Sequence, residues 1–395
     1  MQLTHADKKQ PITGVLRQPR AIIEINGDIL HHGLYSAQIT NNTIFQADTW
    51  TAVLVASQLP KDSAVQWYAA QKVEVKIYIG FPKDPAHFGI DELSHLMTGY
   101  ADSIEYNPVA DTVTLTGRDL TGLLIDHKTY AKYPNLTASQ IAQQMATKYG
   151  LKADITATTV PVGRYYSMDH VRTTTQETDW DLLTYLAQES GFWVYIHGST
   201  LYFGAPPQPG KNDFIIEAPV PGNENQSNVL QLSLARNLTV ARDVIVRVSS
   251  WDPKHAKGFT ATAHAIKGVA TPLGGSSESQ QAGGDAQIYS YTIPGLTPNQ
   301  ALQRAEQLLH NITIHELRLQ ATMPAVNTVG KMTIIRLKQS GTIFDQDFYP
   351  AKITRTWSAQ RGYGMSITAK NHTPQSTVIA GQTNPVGGFT SQSPS

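Results

Sequence analysis

The sequence predicts a mainly β protein with an α+β module in its middle, and three observations carry that prediction. Apolar and polar residues alternate with the period of two that a strand requires through Lys72–Gly80 and Asp111–Gly117, between turns rich in Gly, Pro and Asn. From about residue 119 the pattern switches to helical spacing with capping signals, then to a hairpin that ends near Gly204. Alternation returns at Val229 and recurs as far as Thr368. The order is therefore β, then α+β, then β, with each β region the size of a small barrel or sandwich.

Residues 1–19 read as an N-terminal arm, polar and broken by Pro11 and Pro19. The first β region covers 20–118. Ala21–Ile25 is a strand entering an Asn26–Gly27 turn, a dipeptide whose residues tolerate the positive φ of a tight hairpin. Trp50–Val55 is a short β-branched run. The α+β module covers 119–205. Thr137 and Gln140 have capping-box spacing, Ile141 and Met145 share a helix face, and Gly150 stops the helix. A second helix opens at Thr178-Asp179-Trp180-Asp181 and stops at Gly191. Phe192–His197 and Leu201–Gly204 follow as a hairpin around Gly198-Ser199.

The stretch 206–228, with Pro206, Pro207, Pro209, Pro219 and Pro221, reads as a stiff connection. The second β region covers 229–372. It includes Val229–Leu234, Val244–Val248, a helix over 298–312 with Thr297 as N-cap and Pro298 at its first position, and closing strands from Glu316 to Thr368. Leu273 to Gly284 reads as a mobile loop. The Gly/Ser/Thr/Gln-rich stretch 373–395 reads as a flexible C-terminal tail, open to protease unless a partner orders it.

Composition narrows the function. A chain of 395 residues holds two to four domains at roughly 100–200 residues each. The 31 basic residues equal the 31 acidic ones, which argues against capture of nucleic acid through its phosphates. Only 16% of residues are charged, a low colloidal charge that suits a surface covered in an assembly. With no cysteine, the chain has no disulfide, thiolate zinc site, iron–sulfur cluster or cysteine nucleophile. No segment resembles a signal peptide or an apolar span, so folding in a cytoplasm is expected, and triplets such as Asn237-Leu238-Thr239 carry no weight.

The search for catalytic, cofactor and metal residues returns none. His315-Glu316 begins like a metalloprotease motif, but Leu319 stands where the second histidine is needed, and His310 falls on another face. His31-His32 precedes Gly33 in a turn. Gly362-Tyr363-Gly364 starts like a dinucleotide fingerprint, but Ile367 replaces the third glycine and no βαβ unit surrounds it. Asp179 and Asp181 flank Trp180 at a helix start, where acids cap better than they catalyse. Trp180-Asp181 and Trp251-Asp252 do not repeat with a propeller period. Phe192, Trp193, Tyr195, Tyr202 and Phe203 lack interleaved Lys or Arg, so they read as hairpin packing against the preceding helix, not as a base-stacking platform.

Taken in order, several segments resemble the late control protein D family, the baseplate hub proteins of contractile-tailed, Mu-like phages. They are the Asn26–Gly27 strand and turn, Gln66-Trp67-Tyr68, Leu96–Ile104, Thr114–Leu120 continuing to Asp126, the helix Ile141–Gly150, Thr178–Phe203, the helix Pro298–Leu309 and the Gly362-Tyr363-Gly364 strand. The resemblance covers roughly 20–372. It implies two tail-tube-like β-barrel domains plus the middle α+β module. It also implies a non-enzymatic homotrimer whose ring has pseudo-sixfold symmetry, joining a hexameric tail tube to a trimeric central spike and lining the DNA exit path. Implied partners are the tube protein, a separate spike protein and other baseplate (wedge) proteins, with no sequence-specific nucleic-acid binding, no membrane insertion and no cofactor. The implied location is the virion baseplate, assembled in the host bacterial cytoplasm. A phage-derived injection device of pyocin or type VI kind is the alternative. A tail-associated cell-wall hydrolase and a carbohydrate-binding β module are weaker readings, because no carboxylate pair or spare domain serves them. If barrels build a ring, their edge strands are expected to pair between chains.

Overall fold

The computed structural model describes residues 18–43, 45–60, 63–128, 133, 136–159, 178–210, 213–219, 227–238, 244–252, 257–267, 287–293, 296, 298–313, 315–371, 376–380 and 384–385. The Leu273–Gly284 loop, Thr297 and the arm up to residue 17 lie outside them.

In the first β region, β1 (Arg20–Ile25) and β2 (Asp28–Leu30) flank Asn26 and Gly27, with φ of 53° and 93°. Then come β3 (Leu34–Asn42), β4 (Thr49–Val55), helix α1 (Ser63–Ala69), β5 (Glu74–Gly80), β6 (Ser94–Asn107) and β7 (Thr112–Asp119). The alternation in β5 and β7 does what its period demands: Val75, Ile77, Ile79, Val113 and Leu115 are fully buried and their neighbours face outward. Gly117 is needed for space, since a Cβ there would stand 2.0 Å from Tyr100 O and 2.7 Å from the Trp50 ring. Gln66-Trp67-Tyr68 lies in α1, which tucks Trp67 into the core and leaves Tyr68 half exposed.

The module contains α2 (Thr121–Asp126), α3 (Ala138–Lys148), β8 (Lys152–Ile155), α4 (Asp179–Ser190), β9 (Trp193–His197) and β10 (Thr200–Gly204). The expected capping box forms at α3, and a second one forms at α4. Thr137 Oγ1 accepts from Gln140 N and Thr178 Oγ1 from Asp181 N, each with the reciprocal bond, and Gly191 ends α4 at φ 66°. Strand β10 lies between β8, parallel, and β9, antiparallel. The helices cover this small sheet with Leu124, Ile141, Met145, Leu183 and Leu186 against Val194, Leu201 and Phe203. Each such side chain stabilises by about 1.5–3 kcal/mol.

The remaining elements are β11 (Asp213–Glu217), β12 (Gln231–Arg236), β13 (Val244–Asp252), β14 (Lys257–Lys267), β15 (Gln287–Thr292), α5 (Pro298–Thr313), β16 (Leu317–Pro324), β17 (Ile334–Lys338), β18 (Asp347–Ser358), β19 (Gly362–Asn371), β20 (Ser376–Ala380) and β21 (Asn384–Pro385). Three sequence expectations need correction. The 206–228 connection contains β11, which runs parallel to β17 and buries Phe214 and Ile216. The stretch 229–372 is divided between two sheets: β12 and β16–β19 join the first β region, while β13, β14 and β15 form a separate sheet against which α5 packs through Ala301, Ala305 and Leu309. In the tail, residues 376–380 and 384–385 are not loose; they extend that separate sheet along β14.

Among the described residues the main sheet has thirteen strands in the order β12-β16-β19-β18-β3-β4-β7-β6-β5-β1-β2, with β11 and β17 branching from β18. Its seam is the antiparallel pair β3–β18, from Asn42↔Lys352 to Ser36↔Ser358. The strand on each side of the seam comes from a different β region, and the two regions share one continuous apolar core that includes Ile23, Ile77 and Leu115 with Leu319, Ile353 and Ile367. Strand β1 also touches β3, so the first half curls on itself.

Candidate functional site

The most unusual chemistry in the molecule is buried charge where the module meets the main sheet. Asp48, in the loop after β3, is held by Asn42 N at 2.9 Å, Asn41 Nδ2 at 2.8 Å and Lys331 Nζ at 2.8 Å. The side chains of Asp48 and Lys331 are 3% and 4% exposed, so this ion pair is dry. Lys331 comes from the loop before β17. It also points at Ile196 O of β9, 3.5 Å away, and sits 5.1 Å from the Tyr195 ring centre. Asp119 ends β7 beside them. Its amide donates to Asp48 O at 3.0 Å, its Oδ1 accepts from Thr121 N at 3.1 Å, and its buried Oδ2 has no partner. Burial, and next the Asp48 charge, push the Asp119 carboxyl up to about 7, against the pull of Lys331.

Arg355 of β18 closes the far side. It donates to Asn41 Oδ1 at 2.9 Å and to the carbonyls of Val326 and Val329, so a guanidinium on the seam strand fixes the loop that carries Lys331. His197 of β9 is held below its usual value by burial and by Lys331, and His95 of β6 by burial and by His197. Gly198, at the β9–β10 turn, packs against the His95 ring. Around this polar centre the attachment continues with Trp193 on Tyr349, ring centres 5.2 Å apart, and with Trp180 Nε1 donating to Phe45 O at 3.2 Å. The desolvated Asp48–Lys331 pair ties the loop after β3 to the loop before β17, with Asp119 buried beside it.

Of the residues weighed from sequence, Trp180, Trp193 and Tyr195 lie at this junction and the others fall elsewhere. Asp181 caps α4, as expected of both acids, but Asp179 does not stay at the surface. It is fully buried, 2.6 Å from Lys148 Nζ and 3.2 Å from His127 Nδ1, and accepts from Tyr149 Oη, whose own proton is held above its usual range by burial and this bond. The aromatic hairpin splits between two faces. Phe203 packs edge-on to Phe192 inside the module, at 5.6 Å, while Trp193 and Tyr202 face the main sheet beside Ile334. Tyr195 and Tyr202 stack at 4.8 Å. Glu316 is buried and accepts from Arg236 at 2.9 Å; burial and Lys370 hold His315 below its usual value. His31 and His32 lie exposed in their turn. Gly362 makes the β18–β19 turn at φ 79°, and Tyr363 donates to Asn327 Oδ1 at 2.6 Å. Trp251 is half exposed at the end of β13. Among the described residues no three His, Asp or Glu side chains converge on a metal-sized site, and no helix is long and apolar enough to cross a membrane.

Sequence reasoning missed Asp48, Asp119, Lys331 and Arg355. Each stands in a polar or alternating context that reads as solvated surface, and only the β3–β18 seam brings them together.

No family model and no curated protein matches the sequence. Solved structures do. A tail protein from Neisseria meningitidis MC58 superimposes with a TM-score of 0.64 at 13% identity, covering 91% of this chain and 98% of its own. The 43 kDa tail protein of prophage MuSo2 from Shewanella oneidensis gives 0.58 at 14% identity, over 90% and 98% of the two chains. The chain has a phage tail protein fold. Prophage tail protein gp18 from Listeria monocytogenes EGD-e shares that tail fold at a TM-score of 0.53 and 9% identity, over 89% and 94%. The tail fold agrees with the resemblance read from the ordered sequence segments, and with a mainly β architecture built on one large antiparallel sheet.

Proposed function

We propose that this chain is the structural hub of a contractile phage tail baseplate. Three copies form a ring of pseudo-sixfold symmetry that joins the hexameric tail tube to the trimeric central spike and lines the DNA exit path. The observation that supports the reading is the β3–β18 seam, which joins strands of the first and second β regions in one chain; if each region is one tube-like unit, three chains would present six. The likeness of nearly the full chain to tail proteins supports it. In this reading the chain is not an enzyme. It works in the virion after assembly in the host cytoplasm, through large interfaces with the tube, spike and wedge proteins.

Light scattering after size exclusion tests the proposal. The expected species has three times the chain mass of 43.3 kDa, alone or once the spike protein is added, and appears as a ring by electron microscopy. A chain that stays monomeric at every concentration and with the spike protein present overturns it.

A further inference from the structure

We infer that the main sheet continues from one copy of this chain into the next, the second half of β6 in one copy pairing antiparallel with the outer edge of β12 in its neighbour. The ground is an internal repeat. In chain order, β3, β4, β5, β6 and β7 correspond to β12, β16, β17, β18 and β19. The first set pairs as β3–β4, β4–β7, β7–β6 and β6–β5, and the second as β12–β16, β16–β19, β19–β18 and β18–β17. Every one of these pairs is antiparallel. The irregularities also agree: β6 skips Asp102 between Ala101 and Ser103, and β18 skips Ala351 between Pro350 and Lys352. The separate sheet and α5 are inserted between β12 and β16.

The two units differ in what lies beyond that bulge. In β18 the residues Lys352–Ser358 take β3 as their partner, which makes the seam. In β6 the matching residues 103–107 pair with β7 alone among the described residues, and β12, the match of β3, pairs with β16 alone. Helix α1 touches β6, yet Ser103, Glu105, Tyr106 and Asn107 stay exposed. The run β6-β7-β4-β3-β18-β19-β16-β12 therefore ends in the two halves of a second seam. Unpaired edges of this kind call for a strand. Directions alternate along the run, so β6 and β12 of copies related by a ring axis meet antiparallel, as β18 and β3 do.

The repeat also sets the register. Core-facing rows run Ile104–Leu115–Ala52–Ala37 in the first unit and Ile353–Ile367–Ala321–Leu232 in the second. At the seam Ala37 lies opposite Trp357, four residues beyond Ile353. Leu232 accordingly falls opposite Pro108, and Ser233, Leu234, Ala235 and Arg236 fall opposite Asn107, Tyr106, Glu105 and Ile104. Both faces suit this alignment. On the core face Tyr106, 45% exposed, gains half-buried Leu234 as its neighbour. On the other face Glu105 enters one row with Ala235 and Arg318, and two strand spacings, about 10 Å, separate the two charged residues across a small alanine. Neither charge has an ion partner among the described residues, and Arg318 stands opposite Lys370, so an arriving carboxylate is complementary. A contact between two different edges is head-to-tail and closes into a ring. The number of copies rests on the hub reading above.

The chain has no cysteine, so disulfide mapping on the full, assembled chain tests the join. A mixture of Asn107→Cys and Ser233→Cys chains is expected to give a covalent dimer on mild oxidation, and the double variant a ladder that ends at the closed ring. Gln231→Cys in place of Ser233→Cys stands two residues out of register and is expected to give none. Crosslinking of Ser233→Cys with itself marks a two-fold contact between like edges and overturns the proposal. A charge swap reads the same join without a disulfide. Glu105→Arg is expected to weaken association about fivefold, and adding Arg318→Glu to restore it. Assembly by light scattering with neither the crosslink nor the rescue refutes this join and leaves the hub reading standing. A chain that never assembles, even with the spike protein present, refutes both.

Discussion

The α+β module is held together by one kind of physics and held to its neighbour by another. Inside it, Leu183, Leu186, Val194, Leu201 and Phe203 form an apolar core, and both helices begin with complete capping boxes. At its boundary with the main sheet the contacts are a lysine, held in a dry ion pair within the sheet and aimed at a backbone carbonyl of the module, an indole N–H on a carbonyl and an edge-to-face aromatic pair. Apolar cohesion is non-directional and forgives small shifts. A buried charge pair fixes register and opposes every other arrangement, because a lone buried charge is costly. The difference teaches that the module is built to fold as a unit and to sit in a single orientation.

The largest expected effect breaks the first half of that comparison. Phe203→Ala should cost about 3–5 kcal/mol, since the ring is fully buried between α4 and the small sheet. Exchange should rise throughout α3, α4 and β10 together, while the β3–β18 seam stays protected. A loss spread evenly over the whole chain would mean that the module has no cohesion of its own.

Next comes the attachment. Lys331→Met keeps most of the stem volume but leaves Asp48 without its cation, so about 3 kcal/mol should be lost. The loss should appear in chemical denaturation as weakened coupling between module and sheet, with α3 and α4 retaining their protection. If α3 and α4 melt along with the junction, attachment and cohesion are one thing and the contrast fails. A smaller test returns to the module. Thr178→Ala removes the α4 cap and should cost about 1 kcal/mol, with Thr178→Ser recovering most of it.

What the sequence discloses follows the same division. Capping boxes, the Asn26–Gly27 turn, the β5 and β7 alternation and the hairpin around Gly198 are local, so neighbouring residues suffice to specify them. Strand β11 was equally local, with Phe214 and Ile216 alternating in five residues, but the surrounding prolines outweighed it. The separate sheet of β13–β15 was hidden for another reason: β-strand patterns say which face is buried and nothing about which strand is the neighbour. The junction is the extreme case. Asp48, Asp119, Lys331 and Arg355 have polar identities that predict solvent, and Asp179, read as a cap, was drawn inside by Lys148 and Tyr149 from a different helix end.

The contact between α4 and α5 provides the weakest and sharpest probe, because it resembles neither extreme. Arg304 reaches Glu189 at 2.8 Å, with the two side chains 22% and 36% exposed, and Gln307 Nε2 lies against Gly191. Water screens a pair at that depth, so Arg304→Gln should cost only about 0.2–1 kcal/mol, and the difference from wild type should shrink in high salt. The Asp48–Lys331 pair is shielded from ions by its burial, so the loss in Lys331→Met should be insensitive to salt. Measuring both variants across a salt series separates the two kinds of attachment. If Arg304→Gln proves as costly and as salt-independent as Lys331→Met, then the α5 sheet is latched to the module as firmly as the main sheet is, and orientation is fixed from two sides instead of one.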